Sequence, residues 1–297
     1  LIEHVEYIQD RHVATNDEYF GIAEGRNVFT IVLESAQQFA MDFTIEDENG
    51  ETQVVTPFIN ELYHDPQTIS FNNYFHQTKQ GKSSDAEILS ENSYYGLPEG
   101  AAIQMLGSTN TFQATPNLLK AEAGYTSAAF HGNVGSFWNR TDTYQRFGYD
   151  YFFDAEYFDL SKGRTAEYGL KDKLFFHDSA QYIEQLPQPF YTKLLTLSNH
   201  FPYPLDEENI TIQAPDTGDD TVNNYFVTMR YMDEAVEEFI NWTKEAGLYE
   251  NSIFVIYGDH YGISNMRNPK LAELLEVEEW TDYHNAQMQR VPLMFHI

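Results

Sequence analysis

Four short stretches of this 297-residue chain place polar residues with chemical potential directly after apolar runs. Val28–Leu33 (VFTIVL) is followed by Glu34, Thr126–Phe130 by His131, Lys193–Leu197 by Ser198, Asn199 and His200, and Ile253–Tyr257 by Gly258, Asp259 and His260. The runs are β-branched and aromatic, the pattern of buried strands. Ligands of open α/β sheets gather outside the carboxyl ends of the strands, so four such deliveries predict one shared site. Carboxylate oxygen and imidazole nitrogen donors side by side can face one ion. Taken singly, each has a plainer explanation: Glu34 as a helix cap or solvated turn, His131 and His200 as hydrogen-bonded structural residues. The adjacent Asp259 and His260 are the more specific signal. His64, His76, His177 and His284 have no comparable setting and are expected to be structural or exposed.

A fifth segment, Phe75–Glu87, reads as a loop entering a helix, with Ser83 or Ser84 at the cap position. Such a helix start offers unpaired N–H groups and a positive dipole end to an anion, and a hydroxyl there meets phosphate. Gly81-Lys82-Ser83 ends like a Walker loop, but the required earlier glycine is His76, which removes an ATPase reading.

The elements that must position these residues alternate short strands with longer helical patterns, the signature of an α/β fold with a mostly parallel central sheet and helices on both faces. One helix is predicted from Thr115-Pro116 to Gly124. Another carries an apolar stripe of Tyr225, Met229, Met232, Val236, Phe239 and Ile240, with Gly247 able to cap it. Residues 1–26 read as an N-terminal linker or helical segment, and 27–297 as the catalytic domain. The apolar stretch Arg290–Ile297 stops without a turn, and the domain is expected to be truncated at its C-terminus.

Composition narrows the function. With 17 Lys+Arg against 46 Asp+Glu and a net charge of −29, the chain repels phosphate backbones, so nucleic acid is not an expected partner. The same charge disfavours close contact with an anionic membrane. The absence of cysteine removes disulfides, thiol catalysis and zinc–thiolate sites together. No stretch approaches the ~18–20 apolar residues of a membrane span.

Taken together, Leu33-Glu34-Ser35, the run from Phe75-His76-Gln77-Thr78 to Gly81-Lys82-Ser83-Ser84-Asp85, Tyr95–Pro98, His131-Gly132, Phe137–Arg140, Gly169–Lys173, Ser198–His200 and Tyr257–Ser264 resemble, in order, the motifs of the extracellular catalytic domain of lipoteichoic acid synthases. These are phosphoglycerol transferases of the sulfatase and alkaline phosphatase superfamily. The resemblance runs from about Asn27 to the C-terminus. It implies a sulfatase-like fold and a cation, Mn²⁺ with Mg²⁺ as the alternative, held by Glu34, Ser83, Asp259 and His260. It also implies a glycerolphosphate pocket of His131, Trp138, Arg140 and His200, with Ser83 as nucleophile, His200 assisting proton transfer and Ser84 capping the helix.

The implied reaction moves the headgroup of phosphatidylglycerol onto a glycolipid or a growing polyglycerolphosphate chain, on the outer face of a Gram-positive cell membrane. An N-terminal transmembrane region of the family, absent from this sequence, would supply the anchor. Two departures stand out: Ser83 replaces the family threonine, and Asn133 replaces a commonly acidic residue, which fits a primase paralogue that adds only the first unit. The rival readings are another phosphodiesterase or sulfatase of the superfamily, and a catalytically weak teichoic-acid-binding module.

Overall fold

The computed structural model describes residues 2–297. Seven strands form the central sheet: β1 (Asn27–Leu33), β2 (Thr68–Phe71), β3 (Thr126–His131), β4 (Tyr151–Phe153), β5 (Phe190–Leu195), β6 (Ser252–Gly258) and β7 (Leu293–His296). Their order is β2-β7-β6-β1-β5-β3-β4. The run from β6 through β1, β5 and β3 to β4 is parallel throughout, and β7 lies antiparallel between β6 and β2. This is the expected α/β class with a mostly parallel sheet.

Central position explains why β1 is apolar almost without interruption, since both of its faces are covered. Phe29, Ile31 and Leu33 join the larger core with the helices Asp172–Ile183 and Asp220–Glu245. Phe239 of the long helix meets Phe29 edge-on at 5.6 Å and stacks on Phe176 at 4.6 Å. Each buried ring of this kind contributes roughly 1.5–3 kcal/mol. All six stripe residues of the long helix are buried as predicted. Asp219 caps its start by accepting from the N–H groups of Thr221 and Val222, and Gly247, at φ 69°, takes the left-handed turn beyond its end. The helix predicted from Thr115 also forms, over Thr115–Ala123, with Gly124 left-handed after it.

One strand departs from expectation. The sequence pattern placed it at 193–197, whereas β5 runs from Phe190 to Leu195, so Lys193 lies in mid-strand and fully buried. A lysine looked like a strand start because a buried ammonium is costly unless it is paired. Here it is paired. Its Nζ lies 3.2 Å from Glu87 and 3.1 Å from Glu91, both on the helix Ser83–Asn92, and above the ring of Tyr144. Glu87 also takes the Nε and Nη2 groups of Arg140 at 3.0 and 2.7 Å and the Tyr144 hydroxyl. Glu91 accepts from Tyr149 and Tyr191. The helix that begins with Ser83 is thus fixed to the sheet by ions instead of an apolar stripe.

Burial alone would raise the Glu87 carboxyl, but Arg140 and Lys193 hold it at about 2, against an ordinary 4.5. A folded value below the unfolded one means stability that is present above pH ~4.5 and is lost as pH falls toward 2, a gap worth on the order of 3 kcal/mol. Denaturant unfolding across pH should therefore find Glu87→Gln less stable than the parent at pH 7, with the difference shrinking below pH 4.5. Lys193→Met, which leaves two carboxylates short of a cation, should lose about 3–5 kcal/mol at neutral pH in the same measurement.

Candidate active site

Parallel pairing of Leu33 with Gly258 brings the next residues, Glu34 and Asp259, out side by side at the carboxyl ends of β1 and β6. Both are buried. The backbone of Glu34 is held by residues that follow β5: its N–H donates to Thr196 Oγ1 at 2.9 Å and its carbonyl accepts from Asn199 Nδ2 at 3.0 Å. Ser35 turns at φ 55° and joins the two acids, since its hydroxyl donates to Glu34 Oε1 at 2.8 Å and its N–H to Asp259 Oδ1 at 2.8 Å. Asp259 Oδ1 also accepts from the N–H of His260 at 2.8 Å.

The Ser83 hydroxyl completes this cluster, 3.1 Å from Glu34 Oε2 and 3.2 Å from His260 Nε2. His260 Nδ1 faces the carbonyl of Tyr261 at 2.7 Å and so carries the proton, leaving Nε2 turned toward the acids. Burial and the nearby Glu34 charge push Asp259 up to about 6. Burial opposes charge on His260, but Asp259 and Glu34 outweigh it and raise its pKa.

Ligand atoms of Glu34, Asp259 and His260 lie within 4.8 Å of one another. Asp259 Oδ2 is buried with no hydrogen-bond partner among the described residues. An orphaned carboxylate oxygen beside a second carboxylate and an imidazole is a donor set suited to one divalent cation. The residues fit such an ion.

A cavity of about 450 Å³ opens over the cluster, and all eight residues singled out in the sequence line it: Glu34, Ser83, His131, Trp138, Arg140, His200, Asp259 and His260. His131, the last residue of β3, accepts from Arg140 Nη1 through Nε2 at 3.2 Å; burial and the adjacent Arg140 charge keep it neutral. Arg140 is fully buried, and with Nε and Nη2 committed to Glu87 its guanidinium is oriented by the fold. Burial disfavours its charge, but Glu87 more than restores it and raises its pKa. Trp138 sits at φ 57° in the turn that leads into the helix Arg140–Phe147. His200 packs on Tyr168 with ring centres 3.9 Å apart and turns Nδ1 to the Phe201 carbonyl at 2.8 Å. Burial lowers its pKa.

The expected helix cap is not found. Ser83 is the first helical residue and Lys82, at φ 46°, occupies the cap position without a side-chain hydrogen bond. Ser84 does not accept from the first turn; its hydroxyl donates back to the Gly81 carbonyl at 2.7 Å. The loop is tied instead by Asp85, whose Oδ2 accepts from the N–H groups of Lys79 and Gly81. The first-turn amides of Ser84, Asp85 and Ala86 already donate to the Gly81 and Lys82 carbonyls, which leaves a serine cap nothing to accept.

Several contributors were not foreseen: Ser35 between the acids, Tyr168 under His200, Tyr261 beside His260 and Glu87 behind Arg140. Ser35 and Tyr261 stood inside the motif segments without a role, and Glu87 left a physical trace, because a helix reading SSDAEILSEN with acids among its buried positions needs cations, and a lysine inside an apolar strand provides one.

Comparison with known proteins gives the family. The chain is 49% identical to lipoteichoic acid synthase 2 of Bacillus subtilis over 290 residues, covering 98% of this chain and 44% of that protein. It is 46% identical to lipoteichoic acid synthase of Staphylococcus aureus over 276 residues, covering 93% of this chain and 42% of that protein. The chain therefore spans less than half the length of these relatives. Among solved structures, a lipoteichoic acid synthase from Listeria monocytogenes superposes with a TM-score of 0.86 at 27% identity, over 99% of this chain and 71% of the other. A Streptococcus pyogenes phosphoglycerol transferase in complex with sn-glycerol-1-phosphate shares the fold, with a TM-score of 0.63 at 11% identity over 98% of this chain and 70% of that one. The family model described as Sulfatase matches residues 26–296, from the residue before β1 to the last residue of β7, and the chain belongs to that family.

Proposed function

We propose that this chain carries the catalytic centre of a lipoteichoic acid synthase-like glycerolphosphate transferase, which acts on phosphatidylglycerol at the outer face of a Gram-positive cell membrane. The observation that carries the reading is the Ser83 hydroxyl, set between Glu34 and His260 at the start of a buried-ion-anchored helix and facing a cavity with Arg140 and Trp138 in its wall. Similarity to the Bacillus and Staphylococcus synthases supports the reaction class.

Glu34, Ser83, Asp259 and His260 would hold the cation, Mn²⁺ or Mg²⁺. When bound, it supplies acidification of the Ser83 hydroxyl and neutralisation of phosphoryl charge. Ser83 Oγ attacks phosphorus, the bond to the diacylglycerol oxygen breaks, and a glycerolphosphoryl-serine forms. The terminal hydroxyl of a glycolipid or polyglycerolphosphate acceptor then attacks the same phosphorus, and Ser83 leaves with its proton restored. With Nδ1 engaged by the Phe201 carbonyl and its pKa lowered by burial, His200 takes the Ser83 proton through Nε2 and gives it to the departing diacylglycerol oxygen, then takes the acceptor hydroxyl's proton and gives it to Ser83. Arg140, lining the cavity with its orientation fixed by Glu87, sets its guanidinium charge toward a phosphate oxygen, so little is reorganised on binding. Neutral His131 and the Trp138 ring provide a polar and an apolar wall for the glycerol moiety. The 27–297 boundary of the catalytic domain, and a membrane anchor outside this sequence, belong to the same proposal. A tether would provide the effective concentration that an acidic protein lacks near anionic lipid.

Incubation with a phosphatidylglycerol analogue followed by peptide mass spectrometry should place a glycerolphosphoryl group on Ser83. Ser83→Ala should abolish the adduct and the transfer with the fold intact, and Ser83→Thr should keep activity, the added methyl restricting the rotamers of the hydroxyl. Ser84→Ala should keep activity at a stability cost of about 0.5–1.5 kcal/mol, the worth of its bond to Gly81. An adduct on Ser84, or none on any serine, would overturn the assignment.

Calorimetric titration of glycerol phosphate should show Arg140→Lys binding about tenfold more weakly than the parent, because lysine lacks the fork that both Glu87 and the ligand use. Arg140→Ala should in addition lose about 3–5 kcal/mol of stability by stranding Glu87. Unchanged affinity in Arg140→Lys would remove Arg140 from the binding site.

A further inference from the structure

Three lysine or arginine side chains line the catalytic cavity among the described residues: Lys82, Arg140 and Arg267. Two are already neutralised. Arg140 pairs with Glu87, and Arg267 Nη1 bonds both carboxylate oxygens of Asp219 at 2.6 and 2.5 Å. Lys82 has no carboxylate within ion-pair distance among the described residues. Its ammonium is instead hydrogen-bonded to the Tyr261 hydroxyl and lies 3.8 Å from the centre of that ring. Tyr261 follows His260 directly and packs on His76 from another side, so the aromatic support is itself fixed. In a chain with 46 acids and 17 bases, a cation left without an acid in the wall of the main cavity is conspicuous.

The backbone sharpens the point. Lys82 adopts φ 46°, ψ −123°, a conformation that glycine takes freely and a side chain takes at a cost. Strain of this kind persists where the surroundings fix it and concentrates at functional sites. Retaining lysine here calls for a role for its side chain, and an aromatic ring with a hydroxyl acceptor holds an ammonium while leaving its remaining N–H donors free.

We propose that Lys82 is a further substrate-binding residue, whose ammonium, held by Tyr261 next to Ser83, contacts an anionic oxygen of the phosphodiester as a second cationic contact beside Arg140. The proposal rests on the glycerolphosphate-transfer reading and adds to it the group that offsets the charge of substrate in a cavity already containing Glu34 and Asp259. The tyrosine hydroxyl is a neutral partner, so substrate gains the lysine charge without first breaking an ion pair.

The test is titration of sn-glycerol-1-phosphate into the Mn²⁺-loaded protein, with Mn²⁺ affinity and thermal midpoint measured on the same variants. Lys82→Gly and Lys82→Gln should each bind glycerol phosphate at least tenfold more weakly, Lys82→Arg within threefold of the parent, and Tyr261→Phe two- to fivefold more weakly. Mn²⁺ affinity should be unchanged in all four. Lys82→Gly should melt no lower than the parent because it relieves the backbone, so its loss of affinity is not a loss of fold. Glycerol phosphate affinity within twofold of the parent in Lys82→Gly, or a parallel fall in Mn²⁺ affinity, would overturn the proposal. If the parent itself fails to bind glycerol phosphate, the functional reading falls instead. Inorganic phosphate then decides for Lys82: tenfold weaker binding to Lys82→Gln upholds an anion contact, and equal binding overturns it.

Discussion

Two buried carboxylates face the same point in this molecule, and the site is organised around that constraint. Glu34 and Asp259 arrive together because β1 and β6 are parallel neighbours in register, and neither carboxylate can be swung into solvent without breaking the bonds that Ser35 makes to both and the His260 N–H makes to Asp259. Like charges this close in a region of low dielectric need either a proton or a cation. Burial and the Glu34 charge accordingly push Asp259 up to about 6, and the two acids raise His260. Glu34, the unpartnered Asp259 oxygen and His260 would hold a divalent ion, with the Ser83 hydroxyl beside them.

A second electrostatic layer lies behind the first. Glu87 and Glu91 are matched by Arg140 and Lys193, and this neutral cluster fastens the helix that presents Ser83. Arg140 belongs to both layers: part of its fork is structural, and the rest faces the cavity. Its orientation is therefore determined before substrate arrives, the arrangement by which fixed dipoles and charges stabilise a reacting phosphate without reorganising. The same dual role means that its removal damages stability and binding together.

Much of this was legible in the sequence because strand ends in parallel sheets are marked by composition. Apolar runs on β1 and β6 had to stop where a polar residue could be tolerated, and the residues at which they stopped form the site. The ordered motifs shared with lipoteichoic acid synthases then linked Ser83, Trp138 and Arg140 to that centre, which no periodicity could have done. What was missed depended on three-dimensional pairing. Lys193 was set at a strand start because its two carboxylate partners lie about a hundred residues away in sequence. The serine cap failed because the Gly81 and Lys82 carbonyls take the first-turn amides that it would have accepted. Lys82 was visible only as part of the Gly81-Lys82-Ser83 run and not for its own role, since its positive-φ backbone and its support on Tyr261 exist only in the folded chain.

The central claim is that one cation site, built from Glu34, Asp259 and His260 with the Ser83 hydroxyl, organises this cavity. Metal content of the protein, dialysed against excess divalent cation and then measured by inductively coupled plasma mass spectrometry, tests it most directly. The account predicts one tightly held ion per chain in the parent and none in Asp259→Ala. Two ions per chain, or one ion retained when Asp259 is removed, would contradict it.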